Sequence, residues 1–237
     1  MNKGESSTWA AERFGEQAGS VRERVISSFL QAVANAQDAQ AVSSSDKRFP
    51  YGSTLMIRRY ETLVENLRDL RDVRTVKPEG APYELVLIGE NLLFPFRYAE
   101  DERTPVVEAR IGDGRISGLA AALFKRFGAR HTYVQESLWG EDQRPVLADL
   151  PANTRLIPIA YAANDRAGLL KLYWGEAALI DPSGHLAWTR YEQIPLAEGH
   201  SHVISTPDGR PADRFDNGVV PDLTLETLFP VDSAAAK

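Results

Sequence analysis

At 237 residues, 43% of them apolar and 25% charged, the chain is long enough to bury a sizeable core and has an ordinary globular composition. Its formal charge of −6 argues against a broad phosphate-binding surface and leaves nucleic acid only a local basic patch. Cysteine is absent, which excludes disulfides, thiolate nucleophiles and cysteine-ligated zinc or iron–sulfur centres.

The opening residues MNKGESSTWAAERFGEQ contain no apolar signal core, and no run of about 18 apolar residues follows. A soluble, cytoplasmic protein without a membrane partner is expected. Trp9 and Phe14 suggest a short first helix. A stronger one runs from Ser20 to Ala39, where Val21, Val25, Phe29 and Val33 form one stripe and Ser20 with Glu23 fits a capping box. The Ser- and Pro-rich stretch 41–53 reads as a connector. Between Thr54 and Asp72, Met56, Tyr60, Leu63, Leu67 and Leu70 recur at helical spacing.

The sheet is expected to begin after the Pro78–Pro82 turn. Leu85–Ile88 is apolar on both faces, as in a strand covered on both sides. Gly89–Asn91 turns the chain into an antiparallel strand, Asn91–Ala99, in which Pro95 predicts an edge or a bulge. Residues 105–111 alternate, with Val107, Ala109 and Ile111 on one face and Val106, Glu108 and Arg110 on the other. A helix over 116–127 carries Leu119, Leu123 and Phe127, with Gly128 as its C-terminal cap. A strand follows over 131–136. Arg155–Tyr161 makes another strand, with Pro158 again pointing to an edge. The clearest hairpin joins KLYWGEAALI to HLAWTRYEQI through the turn DPSG. Residues 197–217 read as an irregular loop and 219–229 as a short closing element.

This order predicts an α+β protein whose mixed, largely antiparallel sheet has an αβββαβ-like core. A helical segment (1–45) precedes a sheet domain (54–230). The αβββαβ order, with Glu108 and Arg110 on one face of its third strand, resembles the core of restriction-endonuclease-like phosphodiesterases. That resemblance covers about a third of the chain and implies a metal-binding carboxylate set, with Glu65 and Asp101 as the further acids and Mg²⁺ as the ion. Arg110 stands where that family carries Lys, and the second strand has no acid.

Other groups point elsewhere. Gly112, Gly114 and Gly118 lie before a helix, and Glu136 follows some 20 residues on, like a degenerate nucleotide-binding βαβ unit. His200 and His202 form an H-x-H pair that a metal can use, with His131, His185 or Asp208 as possible further ligands. Tyr173, Trp174, Trp188 and Tyr191, with Trp139 and the cations Arg166, Lys171 and Arg190, can stack a base, a sugar or a partner side chain. Ser–His–Asp chemistry stays open, because those residues meet in space and not in sequence.

Three readings of function follow. The first is a non-catalytic binding or assembly module, meeting a protein partner or a second copy through the N-terminal helix. The second is a metal-dependent phosphodiesterase or nuclease, active or degenerate, using Glu65, Asp101, Glu108 and Arg110. The third is a nucleotide-binding enzyme using Gly112, Gly114, Gly118 and Glu136.

Overall fold

The computed structural model describes residues 8–112, 116–130, 147 and 149–196. Its helices are α1 (Thr8–Phe14), α2 (Ala18–Ser43), α3 (Phe49–Leu67) and α4 (Gly118–Phe127). The strands are β1 (Val73–Val76), β2 (Leu85–Ile88), β3 (Asn91–Ala99), β4 (Arg155–Asn164), β5 (Gly168–Leu179) and β6 (Leu186–Gln193). They form one six-stranded sheet in sequence order. Every neighbouring pair is antiparallel except β3–β4, which is parallel. A parallel pair cannot close through a tight turn, and the long β3–β4 connection contains α4. The fold is α+β, and no helix of the described residues is long and apolar enough to cross a membrane.

Period-two alternation divides the core between the two faces of the sheet. On β4, Ile157, Ile159, Tyr161 and Ala163 join a cluster with residues of α1, α2 and α3. Leu156 and Ala160 face the other way, in a cluster that includes Leu123, Phe124 and Phe127 of α4. The four apolar residues of β2 split likewise, Val86 and Ile88 to the first cluster and Leu85 and Leu87 to the second.

The α2 stripe Val21, Val25, Phe29 and Val33 is buried inside the first cluster, and Phe29 lies 4.8 Å from the Tyr161 ring. The stripe is therefore occupied within the chain and is not the free face of a tethered helix. Small residues bring α2 close to α3. The buried Ser28 hydroxyl reaches the carbonyls of Arg24 (2.7 Å) and Thr62 (3.0 Å). Trp174 of β5 stacks on Phe14 at 5.2 Å and meets Trp9 at 5.6 Å. Glu176 accepts hydrogen bonds from Trp9 Nε1 (3.1 Å) and Arg13 Nε (2.5 Å), so one strand anchors α1 by ring contact and by charge.

Several expected boundaries move. Helix α2 starts at Ala18 with no side-chain cap, placing Ser20 and Glu23 inside it, so the capping box does not form. Pro50 sits in the first turn of α3, where it lacks only an N–H that would be unpaired anyway. The connector thus shrinks to residues 44–48. Helix α3 ends at Leu67, and residues 73–76 become β1, so the sheet begins before the Pro78–Pro82 turn. Leu55 is buried where Met56 was expected; Met56 is half exposed.

The largest correction concerns 105–111, which is not a strand. Val106–Glu108 forms a single 3₁₀ turn after Pro105, and only Arg110 makes an isolated bridge, to His185. Val106 and Ala109 are buried while Val107 and Glu108 are exposed, a period of three suited to a 3₁₀ turn. The αβββαβ order does exist, but as α3, β1, β2, β3, α4, β4.

Both strand prolines sit in central strands, inside the β3–β4 ladder but at stretches open on their other side. Strand β2 pairs only with Asn91 and Leu92 of β3, so Pro95 has no partner on that side. Pro158 precedes Ile159, where the β4–β5 ladder begins. The missing N–H of each is tolerated there. Gly114, His131, the expected strand 131–136 with Glu136, Trp139, His200, His202, Asp208 and residues 219–229 lie outside the described residues.

Replacing Phe29 with Ala leaves a cavity between α2 and the sheet. Urea denaturation is expected to show a loss of about 3–5 kcal/mol. A loss under about 1 kcal/mol would show that α2 is not part of the core.

Candidate functional site

The four residues assigned to phosphodiester chemistry do not meet. Glu65 is on the exposed side of α3, ion-paired with Arg58 at 3.1 Å, in a cleft of about 440 Å³ that Lys77, Tyr83 and Glu84 also line. Glu108 and Arg110 line a different cleft of about 330 Å³ with Arg97, Tyr98, Glu100 and Gly112. Asp101 is used by a turn: its Oδ1 accepts from the backbone N–H groups of Arg103 (2.6 Å) and Thr104 (2.9 Å). Those two bonds, Thr104 first, hold its carboxyl below the usual range. The true third strand of the αβββαβ order is β3, NLLFPFRYA, which contains no acid. Among the described residues no group of three or more His, Asp or Glu side chains can hold a metal ion.

The glycine reading also loses its frame. Gly112, with φ +75°, follows a 3₁₀ turn and a bridge rather than a strand. Gly118 is the first residue of α4, whose cap is Ser117; its Oγ accepts from the N–H of Ala120 at 3.2 Å.

One Ser–His–Asp group does assemble, in the β5–β6 turn. Asp181 Oδ2 lies 2.6 Å from His185 Nδ1, and Ser183 Oγ lies 3.1 Å from the same nitrogen. Ser183 Oγ also donates to Asp181 Oδ1 at 2.6 Å. A catalytic relay needs the serine and the carboxylate on opposite nitrogens of the ring. Here both crowd Nδ1, and the carboxylate, not the imidazole, receives the hydroxyl proton. The group is a turn clasp. Gly184 beneath it has φ +89°, and a Cβ there would run into the carbonyl oxygen of Ile111.

The feature that does assemble on a surface is aromatic. Tyr98 and Tyr173 lie 6.1 Å apart, Tyr173 and Tyr191 6.3 Å, and Tyr191 and Trp188 5.8 Å, each pair edge-to-face. This row crosses the sheet from β3 to β6 on the side of α4. Strand β4 lies between Tyr98 and Tyr173, and its Ala160 and Ala162 are small enough to let the rings meet above it.

Two β-bulges lie in the row, and the one in β6 decides its shape. The β3–β4 register shifts between Arg97 and Ala99, at Tyr98. In β6 Trp188 pairs with Ala177 and Tyr191 with Gly175, with a shift between. Residues 188 and 191 are an odd number apart, so a regular strand would point them to opposite faces; the bulge puts both on one. Trp188 is fixed by its Nε1, which donates to the Val106 carbonyl at 3.0 Å, while Tyr191 remains 46% exposed.

Trp174 leaves the expected aromatic set for the core of the opposite face. Tyr98 is the member that pattern reading missed, because NLLFPFRYA carries no period that singles it out. The neighbouring cations are engaged: Lys171 Nζ donates to the Glu102 carbonyl at 2.5 Å and Arg190 pairs with Glu12 at 2.6 Å. Tyr98 also lines the Glu108–Arg110 cleft, so the row ends at a polar mouth.

Comparison with known protein families, curated proteins and solved structures finds no match. The site must be judged on its own geometry.

Burial opposes ionisation of Asp181, but hydrogen bonds from Ser183 and His185 prevail and bring its pKa down to about 2. A carboxyl lowered by folding contributes stability above its ordinary pKa, and that contribution is lost as pH falls through the lowered value. Asp181→Asn should therefore cost stability near pH 6, by about 1 kcal/mol after discounting for its partial exposure. The deficit should shrink as pH approaches 2. Thermal melts of both forms across that window check this; a pH-independent difference would mean the charge is not what matters.

Proposed function

We propose that the chain is a non-catalytic binding module whose aromatic row receives a protein partner. The observation that carries this reading is the continuous contact of Tyr98, Tyr173, Tyr191 and Trp188 on one sheet face, with Tyr191 open to solvent. Tyr and Trp dominate the energetics of protein interfaces because they bury large area with few rotatable bonds. Val107, 54% exposed on the turn whose Val106 carbonyl holds Trp188, adds apolar surface beside the row.

A protein suits this face better than a nucleic acid. Stacking on a nucleic acid calls for cations along the backbone track. Lys171 and Arg190 are already engaged, and the adjoining cleft balances Arg97 and Arg110 with Glu100 and Glu108. Burial of the α2 stripe within the chain favours the sheet over the N-terminal helix as the docking face in this reading. A cytoplasmic setting is consistent with a chain that carries no cysteine.

A random dodecapeptide display library, panned on the full chain and on a Tyr173→Ser/Tyr191→Ser double variant, tests the reading. The wild type should enrich a consensus that the variant does not. Synthetic peptides of that consensus should bind the variant about 30-fold more weakly, as loss of an interface hot spot implies. Sedimentation velocity of the same pair reports self-association through this face. An equal consensus on both proteins, or none on either with both monomeric, would overturn the proposal.

A further inference from the structure

On the opposite face of the sheet lies a cation with no counter-ion among the described residues. Among the described residues eight other arginines reach a carboxylate: Arg13 meets Glu176, Arg22 meets Glu192, Arg48 and Arg97 share Glu100, Arg58 meets Glu61 and Glu65, Arg68 meets Asp69, Arg71 meets Glu16 and Asp72, and Arg190 meets Glu12. Arg59 of α3 does not. It is partly buried between α3 and the sheet, and its guanidinium carbon sits 4.9 Å from the centre of the Tyr60 ring. Among the described residues its only polar contacts are long ones to phenols: Nη1 to Tyr161 Oη at 3.5 Å and Nη2 to Tyr60 Oη at 3.4 Å. Its Nε is buried and has no hydrogen-bond partner.

A guanidinium is a planar fork of five donors, and a desolvated one is stable only when an anion or good acceptors fill that fork. Two weak contacts to neutral hydroxyls leave it largely unfilled. The Tyr60 hydroxyl is turned away, toward the Pro95 carbonyl at 3.5 Å, at the stretch of β3 that β2 does not cover. Tyr161 stands differently. Its oxygen accepts from Arg59, which leaves its own proton to donate. Asp165 pairs with Arg48 at 3.4 Å and Glu100 with Arg48 and Arg97, and neither reaches Arg59.

We propose that Arg59 and Tyr161 bind a compact oxyanion, a phosphate or a carboxylate group, at the seam between α3 and strands β3 and β4. The fork of Arg59 meets two anion oxygens, as in paired Arg–carboxylate and Arg–phosphate contacts, and the Tyr161 hydroxyl donates a further bond. This site is separate from the aromatic row, since Tyr161 points into the cluster on the other face. It stands or falls independently of the reading above.

Isothermal titration of the full chain with inorganic phosphate, and separately with acetate, tests the site at constant ionic strength set by chloride. The arm that shows saturable binding identifies the oxyanion class. Arg59→Met removes the charge and the fork, and Tyr161→Phe removes only the hydroxyl. Binding should weaken at least tenfold in the first and several-fold in the second. If Arg59→Met fails to fold, Tyr161→Phe and the wild-type titration still decide. Absence of saturable binding of either anion to the wild type, or equal binding by a folded Arg59→Met or Tyr161→Phe, would overturn the proposal and leave Arg59 satisfied by water alone.

Discussion

Strand β4 has no solvent side, and the rest of the structure follows from that constraint. Its residues Leu156 to Ala163 are buried without exception. A strand in this position needs a layer on each face and a paired neighbour on each edge. Helices α1 to α3 supply one layer, and α4 with the 106–108 turn supplies the other. Its parallel partnership with β3 then demands a long crossover, which separates two antiparallel halves, β1–β3 and β4–β6. Because it carries Ile and Tyr toward the helices and Ala toward the other side, the two faces differ in depth. The deep side builds a core around Phe29, Tyr161 and Trp174. The shallow side lets aromatic rings from β3 and β5 approach each other over Ala160 and Ala162.

Both surfaces singled out above arise from places where regular pairing stops. The aromatic row depends on the bulge after Trp188, which puts on one face two rings that an ideal ladder would part. Arg59 contacts Tyr60, whose hydroxyl reaches the stretch where β2 has ended and β3 pairs only with β4, with Pro95 on the uncovered edge. Interrupted ladders leave polar groups and side chains available; completed ladders do not. Glu65, Asp101 and Glu108 tell the complementary story. Each is bound up locally or placed in a separate cleft, so acids that look collectable in sequence are dispersed in space.

Much of the architecture was legible from local chemistry. Val21, Val25, Phe29 and Val33 mark α2, the doubly apolar Leu85–Ile88 marks a covered strand, Gly89 marks the turn after it, and Asp181–Gly184 marks the last hairpin. These signals work because side-chain periodicity and turn residues act within a few residues of themselves. The segment 105–111 shows the limit. Val106 to Ile111 fits alternation as well as it fits a 3₁₀ turn, and nothing within the segment decides between them. Its backbone instead bonds to Gly184 and His185 of a hairpin more than 70 residues away.

By itself, then, the sequence determined the type of most elements, the two-sided burial of β2 and the tight turns, because those depend on short-range sterics and on the spacing of apolar side chains. Only the tertiary structure decided which elements neighbour one another, where the ladder breaks and which polar groups go unpaired. Trp188 and Tyr191 end on one face although their spacing says otherwise, and Arg59, with a buried Nε, meets only two phenol oxygens among the described residues. Both outcomes rest on backbone register across strands and on partners distant in the chain, quantities that no local pattern encodes.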